Sequence, residues 1–362
     1  MIDPQQCKIV VKLKHLYPDD PVDRLRGVNV VATLKKRGWD IELYNNQQEI
    51  DLIIYLDDYN LYERLIYEHI KAKITVVDIQ DNHLNRHNPA SQFIKNRRHH
   101  SKFKRLLVEL KQGILPLFYK VLTKKIWYKL YIHSLKQANH LVCSSHALTK
   151  VYLPLNPRTV TIVDALDTVS LPPSEKSKRI SICWVGTQNN IVYLQLVDKA
   201  IALLQKEYDL DFYIITADTI FDDPASVAIL NSFEMQYQFT KWNKETVAAE
   251  LQKHHIAIAP LPSMTEKSTN KILTYMGAGL ATVASGAQDY QQLHTQYPKS
   301  FHFLEENTTT VWYQALERLI IDTTQREAYV QKAQEVITAY SIDKIILQYE
   351  ALFQELLSEP LQ

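Results

Sequence analysis

The sequence predicts an α/β protein built from two doubly wound parallel-sheet domains that face a central cleft. Its 362 residues exceed one ordinary hydrophobic core, so two domains are expected. Apolar, β-rich runs alternate with segments of helical period, and the polar stretch 165–179 with its Pro-Pro pair interrupts this alternation once. The strands are continuous Val/Ile runs, which is typical of parallel sheets buried on both faces.

The first half of the chain predicts one complete domain, residues 1–165. Helical segments are expected at 23–37, 59–71 and 145–152, with a long helical insertion at 91–138. The strands of this half are CKIVVKL, DIELYN, DLIIYL, ITVVDI, HLVCSS and TVTIVD. Residues 166–179 are then the linker to a second domain.

The alternation restarts after the linker and predicts a second domain over 180–340. Its strands are ISICWVG, DFYIITA, MQYQFT, IAIAPL, LATVAS and SFHFL. The chain closes with helices near 308–320, 323–340 and 342–358, and residues 341–362 are expected to pack back on the N-terminal domain. Because ligands of doubly wound sheets bind outside the carboxyl ends of the strands, both domains should direct those ends into the cleft.

The bulk composition describes a well-packed globular protein with an uneven charge distribution. Hydrophobic residues make up 46% and charged residues 22%, which excludes a disordered chain. Its three cysteines lie in apolar, strand-like runs, so we expect reduced thiols and a cytoplasmic location. The net charge is only +1, yet residues 95–129 carry eleven Lys/Arg and one acid, Glu109.

Several well-known motifs are missing from the sequence. It has no G-x-G-x-x-G after its first strand and no P-loop, which argues against dinucleotide-binding and P-loop enzymes. The D-x-D pair Asp209 and Asp211 falls at the amino end of its predicted strand, the wrong edge for a ligand. No Cys/His spacing resembles a zinc site, so we expect no metal.

The segment EKSTNKILTYMGAGLATVAS, residues 266–285, is the strongest candidate site. A helix is expected from about Ser268 to Met276, and its first turn offers backbone N–H groups and a positive dipole end to an anion. Lys267 and Lys271 are four residues apart and share one helical face. The residues alone leave open a second interpretation, a solvated lysine pair beside an ordinary helix end.

The same segment resembles the donor-site signature of GT-B glycosyltransferases, especially bacterial members near family 4. That pattern runs roughly K-x-x-x-K-L-L-x-Y-M-A-x-G-x-P-V-V-A-S. The positions that fall on it in register are Lys267, Lys271, Ile272, Leu273, Tyr275, Met276, Gly279, Val283, Ala284 and Ser285. Further similar segments are WVGTQNN (184–190), FTKWNKETVAAELQKHHIAIAPLP (239–262), VVDIQDNHL (76–84) and ANHLVCSSHAL (138–148). The resemblance covers most of residues 74–350 and is more specific in the second domain. It implies two Rossmann-like domains, an N-terminal acceptor domain and a C-terminal nucleotide-sugar domain.

The resemblance also implies which residues contact the donor. The lysines and the helix start would stabilise the diphosphate. The loop after the first strand of the second domain would bring its backbone amides close to the diphosphate or the acceptor. Trp242 would stack on the nucleobase, and the alternative is a core residue. The implied donor-binding residues are Gly186, Thr187, Trp242, Lys267, Ser268, Thr269, Lys271 and Thr274. Thr274 departs from the family, which often has a second glutamate there. Glu266 matches the first glutamate, but Ser263-x-x-Glu266 is equally a capping box for the helix.

On the acceptor side, Asp78, Asp81 and His83 follow the buried run ITVV. Asp78 or Asp81 could orient the acceptor hydroxyl or act as base, and the alternative is ordinary turn chemistry. If the reaction retains configuration, as the resemblance implies, these carboxylates and Glu266 mainly position groups.

The basic insertion mixes Lys/Arg with Leu, Phe, Trp and Tyr at helical spacing. This composition suits a helix on an anionic membrane surface or a dock for an anionic acceptor; the alternative is a helical arm with a solvated basic face. No nucleic-acid-binding motif accompanies it, so nucleic acid is not an expected partner. Its candidate acceptor- or membrane-contacting residues are Lys102, Lys104, Arg105 and Lys111.

Together these features predict a metal-independent, cytoplasmic glycosyltransferase, with attachment to the inner membrane face as one option. It needs no cofactor, and its donor is a UDP-, GDP- or similar nucleotide sugar. The acceptor is expected to be a surface glycan or a lipid-linked sugar. Two rivals remain open at this stage: a catalytically silent GT-B scaffold that binds a nucleotide sugar or a partner protein, and a nucleotide-sugar epimerase.

Overall fold

A computed structural model describes residues 4–14, 20, 22–47, 49–57, 70–84, 128–166, 176 and 178–358. The chain divides into two compact units, the first formed by Met1–Ile162 with Gln348–Gln362 and the second by Val163–Leu347. Each unit contains a six-stranded, fully parallel sheet with flanking helices. The predicted α/β fold with two doubly wound parallel sheets is therefore confirmed.

The first unit has the strand order β2-β1-β3-β4-β5-β6. All six strands lie where the sequence predicts them: β1 Ile9–Lys12, β2 Ile41–Leu43, β3 Ile50–Leu56, β4 Ala72–Ile79, β5 His140–Cys143 and β6 Thr159–Thr161. The helices described here are α1 (Asn29–Lys36), which continues a π-helical segment Asp23–Val28, α2 (128–137) and α3 (His146–Tyr152).

The second unit has the order β12-β11-β10-β7-β8-β9. Its strands are β7 Ile180–Val185, β8 Leu210–Thr216, β9 Gln238–Lys241, β10 Ile256–Ala259, β11 Ala281–Ser285 and β12 His302–Leu304. Its helices are α4 Asp198–Glu207, α5 Pro224–Asn231, α6 Val247–Gln252, α7 Asn270–Gly277, α8 Gln288–Gln296, α9 Thr309–Ile321 and α10 Thr323–Ala339. The last helix, α11 (Ile342–Ser358), begins in the second unit and ends in the first.

The sheet of the second unit is buried on both faces, as its apolar strands require. Ile256 and Ile258 of β10 belong to one hydrophobic cluster, whereas Ala257 and Ala259 belong to the cluster on the opposite face. Successive strand residues point to opposite faces, so a strand that is covered twice must be apolar throughout. Among the described residues, no helix is long and apolar enough to cross a membrane.

Candidate functional site

The predicted donor segment lies at the point where the strand order of the second sheet reverses. From β7 the chain proceeds through β8 and β9 to one edge, and β10, β11 and β12 lie on the other side of β7. The loop 260–269 leaves the carboxyl end of β10 and leads into α7, beside Gly186 at the carboxyl end of β7. Such a reversal leaves a crevice outside the strand ends, which is where doubly wound sheets bind ligands.

The amino end of α7 presents several unused hydrogen-bond donors in this crevice. Among the described residues, no acceptor bonds the backbone N–H groups of Asn270, Lys271 and Ile272. Thr269, the N-cap residue, is 4% exposed, makes no side-chain cap, and its buried Oγ1 has no described hydrogen-bond partner. The first turn contains no acidic residue. Open N–H groups and the positive dipole end together favour an anion.

Lys271 points from the first turn of α7 towards the end of β7. Its Nζ donates to the Val185 carbonyl oxygen at 2.8 Å and lies 4.4 Å from the centre of the Trp184 ring. Burial, with a smaller contribution from the positive charge of Lys267, lowers the pKa of Lys271 to about 7. The ammonium has three N–H bonds, so two remain for a ligand after the bond to Val185.

Gly186 makes room for this arrangement. A Cβ at this position would lie 2.4 Å from the Trp184 ring and 3.0 Å from Lys271 Nζ. The expectation that its backbone N–H approaches a diphosphate is wrong for this structure, because that N–H donates to the Ile215 carbonyl at 3.2 Å. Thr187, the next residue, is exposed and is the N-cap residue of the 3₁₀ segment Gln188–Leu196, without a side-chain cap hydrogen bond.

Two other glycines lie in the turns before and after β11. Gly279 has φ +73° two residues after the end of α7, a backbone conformation that favours glycine. Gly286 has φ +80°, and a Cβ there would lie 2.0 Å from the Leu261 carbonyl oxygen. This close approach joins the end of β11 to the start of the donor loop, which explains why the chain concentrates its scarce glycines here.

The residues of the loop that precede α7 do not form the predicted capping box. Helix α7 begins at Asn270, so Ser263 and Glu266 cannot form its capping box, and that alternative for Glu266 is wrong. Glu266 and Lys267 are half-buried, and Ser268 donates through Oγ to Asp164 Oδ2 at 2.7 Å.

Two more predicted residues, Thr274 and Trp242, have defined environments. Thr274 Oγ1 donates to the Asn270 carbonyl within the helix at 2.9 Å. Trp242 follows β9 and is half-buried against the apolar cluster on that face of the sheet. Arg179 pairs with both Asp209 and Asp211 at the amino end of β8.

In the first unit, Asp78 belongs to a buried ion pair. The carboxylate lies within β4 rather than in the loop after it, and it is fully buried. Its Oδ1 accepts from Arg26 Nε at 2.8 Å and from Gln80 Nε2 at 2.7 Å, and its Oδ2 accepts from the Tyr349 hydroxyl at 3.2 Å. Because both oxygens are engaged, the structure argues for a structural role of Asp78 rather than for a base. Asp81 follows the strand and is half-buried.

A cluster that the sequence motifs did not reveal lies at the strand-order reversal of the first sheet. Asp57, directly after β3, has φ +63° and is buried. Its Oδ2 pairs with Lys14 Nζ at 2.5 Å, and its Oδ1 lies 2.8 Å from Nε2 of the buried His83. The signal that could have revealed it is positional, since each member follows the carboxyl end of a different strand.

The candidate residues of the basic insertion, Lys102, Lys104, Arg105 and Lys111, lie outside the described residues.

The comparisons with known proteins agree with the donor-site motif. Residues 179–322 match the family model of "Glycosyl transferases group 1". The predicted resemblance to this class of GT-B glycosyltransferase is thereby confirmed. No curated protein sequence matches the chain.

Solved structures share the fold at low sequence identity. A glycosyltransferase from Rickettsia africae superposes with a TM-score of 0.64 at 12% identity, covering 98% of this chain and 100% of its own. WaaG, a glycosyltransferase involved in lipopolysaccharide biosynthesis, gives 0.61 at 10% identity, over 95% and 99%. Anabaena HepE, solved with UDP and glucose, gives 0.63 at 10% identity, over 96% and 100%. At these identities the likeness establishes the fold.

Proposed function

We propose, from the match of residues 179–322 to the family model of the group 1 glycosyltransferases, that the chain transfers a sugar from a nucleotide-diphosphate sugar to a carbohydrate acceptor. The observation that carries the proposal is the amino end of α7. Backbone N–H groups and a Thr269 hydroxyl that have no partner among the described residues converge with the Lys271 ammonium at the strand-order reversal of the second sheet. These are the groups that a diphosphate requires.

In this mechanism the chain acts mainly on the leaving group. As the bond between the anomeric carbon and the diphosphate oxygen breaks, negative charge develops on the nucleoside diphosphate. Helix α7 and Lys271, with Lys267 beside them, stabilise that charge in the partly buried crevice, and we propose that they do so without a metal. Such preorganised donors cost no reorganisation at the moment of reaction.

The finer assignments rest on resemblance and on the neighbours. We propose a UDP- or GDP-sugar as donor, and HepE supports UDP because it was solved with UDP and glucose. We propose retention of anomeric configuration, with Glu266 contacting the donor sugar and Asp81 orienting the acceptor. For the acceptor we propose a surface glycan or a lipid-linked sugar, and the role of WaaG in lipopolysaccharide biosynthesis supports this choice.

Turnover of nucleotide sugars by the purified protein tests the proposal. Incubation with UDP-glucose, UDP-N-acetylglucosamine and GDP-mannose should release nucleoside diphosphate slowly by water attack on one donor, and Lys271→Met should abolish the release. Binding of a donor without any release, and without transfer to added glycan acceptors, would instead indicate the silent scaffold. Conversion of the donor to an isomeric nucleotide sugar would indicate the epimerase.

A further inference from the structure

The second unit contains a cavity of about 440 Å³ that the donor site does not use. It is lined by Lys176, His255, Gly279 and one face of α10. His255 directly precedes β10, so the cavity lies at the amino end of that strand, whereas the donor loop leaves its carboxyl end. At about 3.3 Å per residue, the two sites are roughly 16 Å apart along β10.

Two positive charges at this cavity donate only to neutral groups among the described residues. Lys176 donates to the His254 carbonyl at 2.5 Å, and Arg326 donates to the Leu319 and Ile320 carbonyls and to the Thr323 hydroxyl. Among the described residues, neither cation forms an ion pair. A carbonyl oxygen orients a cation without cancelling its charge, so both charges stay available to an anion. The guanidinium has five N–H bonds, and three are engaged here.

His255 adds a third donor to the cavity lining. Its Nδ1 lies 3.2 Å from the Ser181 backbone N and accepts that N–H, so the neutral ring carries its proton on Nε2. Burial, with smaller contributions from the charges of Lys176 and Arg326, lowers the pKa of His255 to about 4. Both cations therefore act directly on the ring.

We propose that this cavity is a second ligand site, which binds a phosphate-bearing small molecule through the Lys176 ammonium, the Arg326 guanidinium and the His255 Nε2–H. One lining acid, Glu327, leaves the lining with a net positive charge. The volume falls in the range of small-molecule sites, about 300–1,000 Å³, so it accommodates an organic group beside the phosphate. The amides of Gln331 and Gln334 also line it and offer hydrogen bonds to hydroxyl groups.

Titrations of the full chain with inorganic phosphate and with glucose 6-phosphate test this site, with glucose as the uncharged control. We expect both phosphates to bind and to shift the ring signal of His255 in NMR spectra. Lys176→Gln removes one cation, and Gln331→Glu places a carboxylate in the cavity without removing a described hydrogen bond. Each should weaken phosphate binding at least about tenfold, the usual loss for a charge-assisted contact.

Lys332→Gln is the matched control, because it also removes one lysine charge, here from a position on α10 that lies outside the cavity lining. It should leave phosphate binding unchanged, and UDP binding should be equal in all variants. The proposal is overturned if the wild-type chain binds neither phosphate. It is equally overturned if Lys176→Gln and Gln331→Glu bind them as tightly as Lys332→Gln does. Because UDP reports the donor site separately, either site can fail without deciding the other.

Discussion

Donor binding should weaken as the pH rises through neutrality, because Lys271 must be charged to hold a diphosphate. In the free protein, burial lowers the pKa of Lys271 to about 7. A bound diphosphate favours the charged ammonium and raises this pKa again. Above pH 7 the donor complex therefore holds one proton more than the free protein, and each further pH unit costs about 1.36 kcal/mol of binding free energy.

The expected magnitude follows from this titration. Free Lys271 is about nine-tenths charged at pH 6 and about one-tenth charged at pH 8, so donor affinity should fall roughly tenfold between them. A UDP- or GDP-sugar is the appropriate ligand, since its diphosphate has no ionisation near pH 7. Calorimetry in two buffers of different ionisation enthalpy should also detect uptake of nearly one proton at pH 8.

Two variants isolate the lysine as the cause. Lys271→Met should bind the donor about 10- to 150-fold more weakly at pH 6, equivalent to a charged hydrogen bond of about 1.5–3 kcal/mol, and its affinity should not vary with pH. Lys271→Arg keeps a charge at every pH and should also give a flat profile. A wild-type affinity that is equal at pH 6 and pH 8, or a Lys271→Met variant with the wild-type slope, refutes the reasoning.

Three further predictions concern stability and the basic insertion. Gly279→Ala should lower the free energy of unfolding in urea by about 1–2 kcal/mol, because it meets only the strain of the positive φ. Gly286→Ala should cost roughly 1–3 kcal/mol more, because its Cβ also meets the Leu261 carbonyl. Equal losses in the two variants would contradict this. Asp78→Asn should lower the free energy of unfolding by about 3–5 kcal/mol, because it breaks a buried ion pair. Glu335→Gln, which breaks an exposed pair, should lower it by less than about 1 kcal/mol. The chain should co-sediment with anionic but not with neutral vesicles, and salt should release it. A variant with four charge reversals to Glu should lose this binding and keep nucleotide binding; the reversed residues are Lys102, Lys104, Arg105 and Lys111.

The strand pattern was predictable because apolar runs in doubly covered sheets are continuous. All twelve predicted strands are present, and so are the helices expected near 308–320, 323–340 and 342–358. The start of α7 was predicted about two residues early, because Ser268 bonds to Asp164 instead of entering the helix. That partner lies 104 residues away in the chain, and local patterns carry no information about it.

The chemistry of single side chains was less predictable than the fold. Asp78 was a candidate acceptor-side carboxylate from the sequence, yet Arg26 and Tyr349, which are distant in sequence, enclose it. The cluster of Lys14, Asp57 and His83 has no motif, since its spacing depends on how three strands align. For Lys271 the sequence predicted a charge on the helix, but the ring of Trp184 and the depressed pKa required the structure.

A crystal structure of the chain with bound UDP or GDP tests the central claim most directly. We predict the diphosphate at the amino end of α7, with phosphate oxygens within about 3.2 Å of Thr269 Oγ1 and of Lys271 Nζ. Backbone N–H groups of the first turn should point at the same oxygens. A diphosphate bound elsewhere, with Thr269 and Lys271 unchanged and out of contact, would contradict the assignment of this crevice as the donor site.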